Sequence, residues 1–179
     1  VVTNPGRAAI INTAVMSFAT VITSGVLGSA LAFLLTRYSF PGRRLMSGLA
    51  YMPFTLPPLV GVLSFYYLAG LDGVLPRFCE RYLGLQDMAL RGPWAILVVH
   101  TYSFYVYFYA MVGAALETVD VSQLEAARTL GAGRLRVFFR VMLPMLTPAR
   151  LGASLLTFMS SGASFSAPYI FGNRYPMLS

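Results

Sequence analysis

Residues 8–36 carry no charge at all, only Asn12 and scattered Ser and Thr, and three further apolar runs occupy residues 45–71, 94–116 and 147–171. About 20 predominantly apolar residues cross the hydrocarbon core of a bilayer, so each run is long enough to do so. An ionisable side chain at the centre of such a span costs about 2.5–3.5 kcal/mol, and apart from Arg150 at the start of the fourth the runs accordingly hold no Arg, Asp or Glu. The runs show none of the strict alternation of a transmembrane barrel, and in lipid the remaining way to satisfy every backbone group is the helix. The expected fold class is an all-α membrane protein with about four transmembrane helices. Pro53, Pro57 and Pro58 interrupt the second run; each removes a backbone donor and crowds the preceding turn, which predicts a broken or strongly kinked span.

Composition narrows the class of function. Hydrophobic residues make up 57% of the 179 and charged ones only 11%, against about 25% in a soluble domain, and the mean hydropathy is +0.68. The net charge of +7 comes from 13 basic and 6 acidic residues, and every basic residue is arginine. These arginines form no stripe interleaved with aromatics, so no nucleic-acid partner is expected. A chain without lysine contains no Walker-type phosphate loop, which requires Gly-Lys followed by Ser or Thr. The single cysteine, Cys79, has no intrachain disulfide partner, and no Cys/His cluster has metal-ligand spacing, so no metal site is expected.

The breaks differ in charge. Arg37, Arg43 and Arg44 follow the first span without an acid, and Arg128, Arg134, Arg136, Arg140 and Arg150 lie within residues 117–150, after the third span. By contrast, Asp72, Glu80 and Asp87 balance Arg77, Arg81 and Arg91 between the second and third. Arginine excess marks the cytoplasmic side, which places residues 117–146 in the cytoplasm.

That break is far longer than a turn and reads as two short helices. Ser122 followed by Glu125 is a capping-box pattern, so a helix should start near Ser122, present Leu124, Ala127, Arg128 and Leu130, and end at Gly131, whose tolerance of positive φ suits a terminus. A second helix is predicted over residues 134–142, ending before Pro144.

The run Glu125-Ala126-Ala127-Arg128-Thr129-Leu130-Gly131, followed nine residues later by Val141-Met142-Leu143-Pro144, resembles the EAA loop of the permease subunits of binding-protein-dependent ATP-binding-cassette importers, the MetI-like family. That family's pattern is Glu-Ala-Ala, three residues, Gly, nine residues, Ile, one residue, Leu-Pro; only Val141 departs from it. Asn12-Thr13, the stretch from Leu31 to Arg37, Phe40-Pro41-Gly42-Arg43-Arg44 and the proline cluster from Met52 to Pro58 are similar to the same family.

The resemblance implies a helical-bundle permease domain, multi-pass in the bacterial inner membrane, that is not itself an enzyme. Glu125, Ala126, Ala127, Gly131, Leu143 and Pro144 would dock on a cytoplasmic ATPase subunit: the alanines permit close approach, and Glu125 with flanking arginines makes charge-assisted contacts. ATP and Mg would be bound by that partner and no cofactor by this chain. The other implied partners are a periplasmic or extracellular substrate-binding protein, a second permease domain, fused or separate, and the lipid bilayer. Because family members usually have five or six spans, the resemblance also implies a continuation beyond Ser179.

The transported species is less legible. Phe40-Pro41-Gly42-Arg43-Arg44, the proline cluster and the run from Ala163 to Gly172 look most like the ferric-iron branch, and relatives carrying sulfate, polyamines, thiamine or phosphonates share that vocabulary. Ser160, Ser161, Ser164 and Ser166 are candidate pathway residues. The same residues equally serve close helix packing and hydroxyl bonding back to the helix, as do Gly25 and Gly28 in the first span. His100 is the one clearly titratable residue inside a span, a functional suspect by position, with a hydrogen bond to a neighbouring helix as its plainer role. A membrane-embedded enzyme would need acidic residues or a marked dyad within the spans, and the spans hold no acid. A secondary transporter or channel would account for broken helices but not for the EAA pattern.

Overall fold

The computed structural model describes residues 5–84, 89–120, 122, 125, 127, 129, 131–172 and 177; Leu124, Ala126, Arg128 and Leu130 of the expected loop helix lie outside them. Every regular element among the described residues is helical: α1 (Pro5–Arg37), α2 (Arg43–Ala50), α3 (Met52–Thr55), α4 (Pro58–Ala69), α5 (Val74–Leu83), α6 (Gly92–Thr118), α7 (Arg134–Met145), α8 (Thr147–Gly162) and α9 (Ser166–Phe171). The fold is the all-α membrane bundle that the apolar runs imply.

Helices α1 and α6 form its spine. At 33 residues α1 is roughly 50 Å long, more than the ~30 Å of hydrocarbon it would cross. The two run parallel, since Thr23 and Thr101 share a hydrogen bond of 2.6 Å while Gly28 abuts Tyr105 and Phe108 further along. Gly28 sets their separation: a Cβ there would run into the Tyr105 carbonyl and lie 2.7 Å from Phe108 Cβ. Small residues allow such approaches where lipid supplies no hydrophobic drive to associate. α8 returns antiparallel to α6, with Gly152 against Met111, Ser160 against Tyr107 and Ser161 against His100, and its Phe158 packs on Phe18 of α1 (ring centroids 5.0 Å apart).

The second apolar run is broken twice. Tyr51 separates α2 from α3, and Leu56 and Pro57 adopt extended backbone before α4 restarts with Pro58 in its first turn, where a missing N–H costs nothing. The stretch long and apolar enough to span accordingly covers Pro58–Leu83, bent at Gly70–Gly73, rather than residues 45–71. The others are Gly6–Arg37 and Gly92–Thr118, and α7 with α8 forms a fourth, bent by 60°.

Two further expectations, one for the loop and one for the fourth run, need correction. The helix begun at Arg134 does not end before Pro144: it continues to Met145 through a π turn over Phe138–Met142, in which the Leu143 N–H reaches back to the Phe138 carbonyl. A wider turn just upstream accommodates a residue that can neither donate nor fit the regular ladder. The fourth apolar run does not continue unbroken to Phe171, because α8 stops at Gly162 and α9 begins only at Ser166.

Buried apolar side chains form two clusters. One, around Ala32, Tyr105, Phe108, Val112, Leu116 and Met142, holds α1, α6 and α7 together; the other, around Met16, Ile96, Val99, Ala167 and Phe171, lies at the opposite end. Between them run the buried hydroxyls Ser17, Thr20, Ser24, Thr157 and Ser161, together with His100.

Candidate coupling loop and translocation cleft

The loop lies where α1 and α6 end. Asp120 lies two residues past the end of α6, and its carboxylate accepts the Ser122 N–H at 2.9 Å. This bond, made to the charged form, holds the Asp120 carboxyl below the usual carboxylate range. Ser122 is already helical, so the cap is Asp120 rather than the expected hydroxyl of Ser122, although the helix starts where expected. Both residue types suit the position, and the acid gains from the helix dipole.

Ser122, Glu125, Ala127 and Thr129 are helical; Glu125 is exposed and Ala127 half-buried against the first apolar cluster. Gly131 has φ +81°, and the Ala132 N–H reaches the Ala127 carbonyl at 3.1 Å. A left-handed glycine with a bond spanning five residues is the Schellman closure of a helix. Ala132 then packs against the same cluster as Ala127, Val141 and Phe138, so the two arms of the loop share one apolar base. Leu143 is half-buried and Pro144 exposed. Ala126 lies outside the described residues.

α7 is seated on the end of α1. Phe138 meets Phe33 edge-on, with centroids 5.8 Å apart, and Arg37 reaches Met142 Sδ at 3.7 Å. Arg37, Arg43 and Arg44 therefore share one end of the bundle with Arg134, Arg136 and Arg140, and the described residues include no ion pair to any of them.

An open cleft of about 510 Å³ lies between the proline break, α6 and the junction of α8 with α9. Its lining includes Pro53, Pro57, Phe104, Tyr107, Ser103 and three of the four serines singled out in the sequence, Ser160, Ser164 and Ser166. Ser161 is fully buried behind the wall instead. Ser160 donates to the Tyr107 hydroxyl at 3.4 Å. His100, 1% exposed, contacts Ser161 Oγ through Nδ1 at 3.0 Å and Ser164 Oγ through Nε2 at 3.1 Å, so it bonds to a neighbouring helix. Sequence reasoning passed over Tyr105, whose hydroxyl donates to the Ala50 carbonyl at 3.0 Å. That carbonyl loses its helical partner because the Phe54 N–H turns to Tyr51 instead. The proline break was visible in the sequence; the tyrosine that satisfies it lies far away in the chain.

The family of binding-protein-dependent transport system inner membrane components matches residues 9–179. The sulfate transport system permease protein CysT of Salmonella typhimurium is 36% identical over 176 residues, covering 97% of this chain and 62% of the relative. The molybdenum transport system permease protein ModB of Escherichia coli is 33% identical over 176 residues, covering 98% of this chain and 76% of the relative. The ferric transport system permease protein FbpB of Actinobacillus pleuropneumoniae is 28% identical over 158 residues, 88% of this chain and 23% of its own length. This chain thus spans under two thirds of the sulfate relative, and the ferric branch is one of several to which it is similar. With a helical bundle of apolar spans and a match over nearly its whole length, the chain belongs to the MetI-like family of binding-protein-dependent transport system inner membrane components, multi-pass proteins of the inner membrane.

Proposed function

We propose that this chain is the translocating part of the permease subunit of an ATP-binding-cassette importer, and that its cargo is a tetrahedral oxyanion of the sulfate or molybdate type. The observation that carries the first part is the loop after α6: an exposed Glu125 on a capped helix, closed at Gly131 and sharing its apolar base with α7. Such a unit transmits a push as a rigid body because both of its arms rest on the cluster that joins α1 to α6. In this reading Glu125, Ala126, Ala127, Gly131, Leu143 and Pro144 meet a partner ATPase, which binds ATP and Mg. A substrate-binding protein delivers cargo from outside, and a second permease domain, fused or separate, completes the pathway. Ser160, Ser164 and Ser166 supply hydroxyls to the pathway wall, with Ser161 bracing it from behind.

The oxyanion assignment rests on the names of the sulfate and molybdenum relatives, which exceed the ferric relative in identity. The ferric relative keeps iron(III) as the second reading. Uptake into vesicles holding the full-length parent with its ATPase and receptor decides between them, using labelled sulfate, molybdate and iron(III) in parallel. ATP-driven uptake of one oxyanion is expected; iron-selective uptake discards the oxyanion, and ATP-independent movement discards the importer reading. In the same vesicles Glu125→Lys should lower ATP-driven uptake at least about tenfold, the equivalent of 1.4 kcal/mol at an interface, without lowering the amount of folded membrane protein. Unchanged uptake would remove Glu125 from the ATPase contact.

A further inference from the structure

His100 joins α6 to a distant stretch of chain, the end of α8 and the turn that follows it. Its ring sits on α6 with Phe104 tilted beside it (centroids 5.3 Å apart), Nδ1 on Ser161 in the last turn of α8, and Nε2 on Ser164 in the turn before α9. Ser161 also donates to Thr20 Oγ1 on α1, at 3.4 Å. A serine has one proton to give. With that proton directed to Thr20, Ser161 accepts from Nδ1–H, and Nε2 is left as the acceptor for the Ser164 hydroxyl. The chain α6–α8–α1 thereby fixes the tautomer, and the tautomer fixes what Ser164 must do.

Ser164 belongs to the wall of the cleft, in the three-residue interruption between α8 and α9. Two backbone bonds also hold this turn, Ala163 N–H to Met159 and Ser164 N–H to Ser161. Both are local to α8 and leave its position relative to α6 unspecified. We propose that His100 is the positioning residue that pins the α8–α9 turn to α6 through Ser164, and so keeps Ser166 half-buried in this wall of the cleft. The inference builds on the cleft being the pathway of the importer reading, and it assigns the lone histidine of the chain a structural positioning contact rather than a proton or metal.

The test uses the full-length parent assembled with its ATPase and reconstituted in vesicles, with Cys79 and any other reactive cysteine replaced by serine and Ser166→Cys as reporter. The rate of labelling by a membrane-impermeant methanethiosulfonate reads the exposure of position 166. His100→Ala should raise that rate about fivefold to tenfold, the scale of one hydrogen bond between membrane helices. His100→Gln places an amide at the Nε2 position and should restore slow labelling, whereas His100→Asn reaches only the Nδ1 position and should label like alanine. Ser164→Ala removes the same bond from the exposed side without opening the core, and should match His100→Ala should that variant fold poorly. Equal rescue by Asn and Gln, or unchanged labelling in both alanine variants, would overturn the proposal. Labelling needs neither cargo nor ATP, so its failure is separable from failure of the importer reading, which the uptake assay decides.

Discussion

The middle of α6 and its end toward Thr118 hold their neighbours by different means. Toward Thr118, Tyr105, Phe108, Val112 and Leu116 pack against Ala32, Leu35 and α7, with Gly28 bringing the backbones close. Around mid-length, Thr101 and His100 instead join α1 and α8 through hydroxyls. Close packing has one good arrangement, because every displaced atom loses contacts at once. Hydroxyl pairs in a membrane are worth only about 0.6–2 kcal/mol each and readily find other partners. In the proposed reading, a bundle that moves as a body at the loop end and reshapes a cleft at mid-depth would be divided in this way, and the difference can be probed from either side.

The largest effect should come from the packed half. Gly28→Ala forces a methyl into the Tyr105 carbonyl, and overpacking of this kind costs about 1–3 kcal/mol or more, so a clear drop in melting temperature is expected in detergent. Gly113→Ala is the control, since its Cβ would lie 4.0 Å from Ala32 Cβ, an ordinary contact. Equal destabilisation by the two would show that the seam is not set by Gly28.

Next is Tyr105→Phe, which strands the Ala50 carbonyl at the first interruption of the second apolar run. A loss of about 1–2 kcal/mol is expected, read from thermal melting, with faster labelling of cysteines placed in the proline break. A smaller effect should follow at Asp120. Its folded carboxyl titrates below the unfolded value because it accepts the Ser122 N–H; the cap is therefore fully present above the unfolded value of about 3.9 and is lost as pH falls through the folded one. Protection from hydrogen exchange at the start of the loop helix, taken relative to the intrinsic rate at each pH, should fall on acidification in the parent. It should be low at every pH in Asp120→Ala and lose its pH dependence in Asp120→Asn.

The smallest effect should be Thr157→Val. Thr157 Oγ1 is buried without a hydrogen-bond partner, as is Ser17 Oγ, and replacing an unpaired hydroxyl by a methyl of the same shape is close to neutral or stabilising. A loss as large as that of Tyr105→Phe would mean that the hydroxyl seam is not the yielding part of the bundle.

Local chemistry was legible where it acts within a few residues. Gly131 closes a helix because only the left-handed conformation at that point lets Ala132 bond back to Ala127, and the prolines break the second run wherever that run packs. Even locally, competing candidates misled: Asp120 and Ser122 both suit a helix start, and the acid takes the cap. The end of α7 was misplaced because a π turn relieves Pro144, and nothing in the residues 138–142 announces a widened turn.

By itself the sequence determined that the chain is a bundle of apolar helices with its arginines at the breaks and a glycine-closed helix after the third span. Charge exclusion from lipid, proline's missing donor and glycine's positive φ all act on the residue that carries them. Only the tertiary structure decided that His100 would meet Ser161 and Ser164, that Tyr105 would satisfy Ala50, and that Ser161 would sit behind the cleft while its three neighbours line it. Those pairings depend on the rotation and depth at which α6 and α8 meet, which the packing of the whole bundle fixes and no single segment encodes.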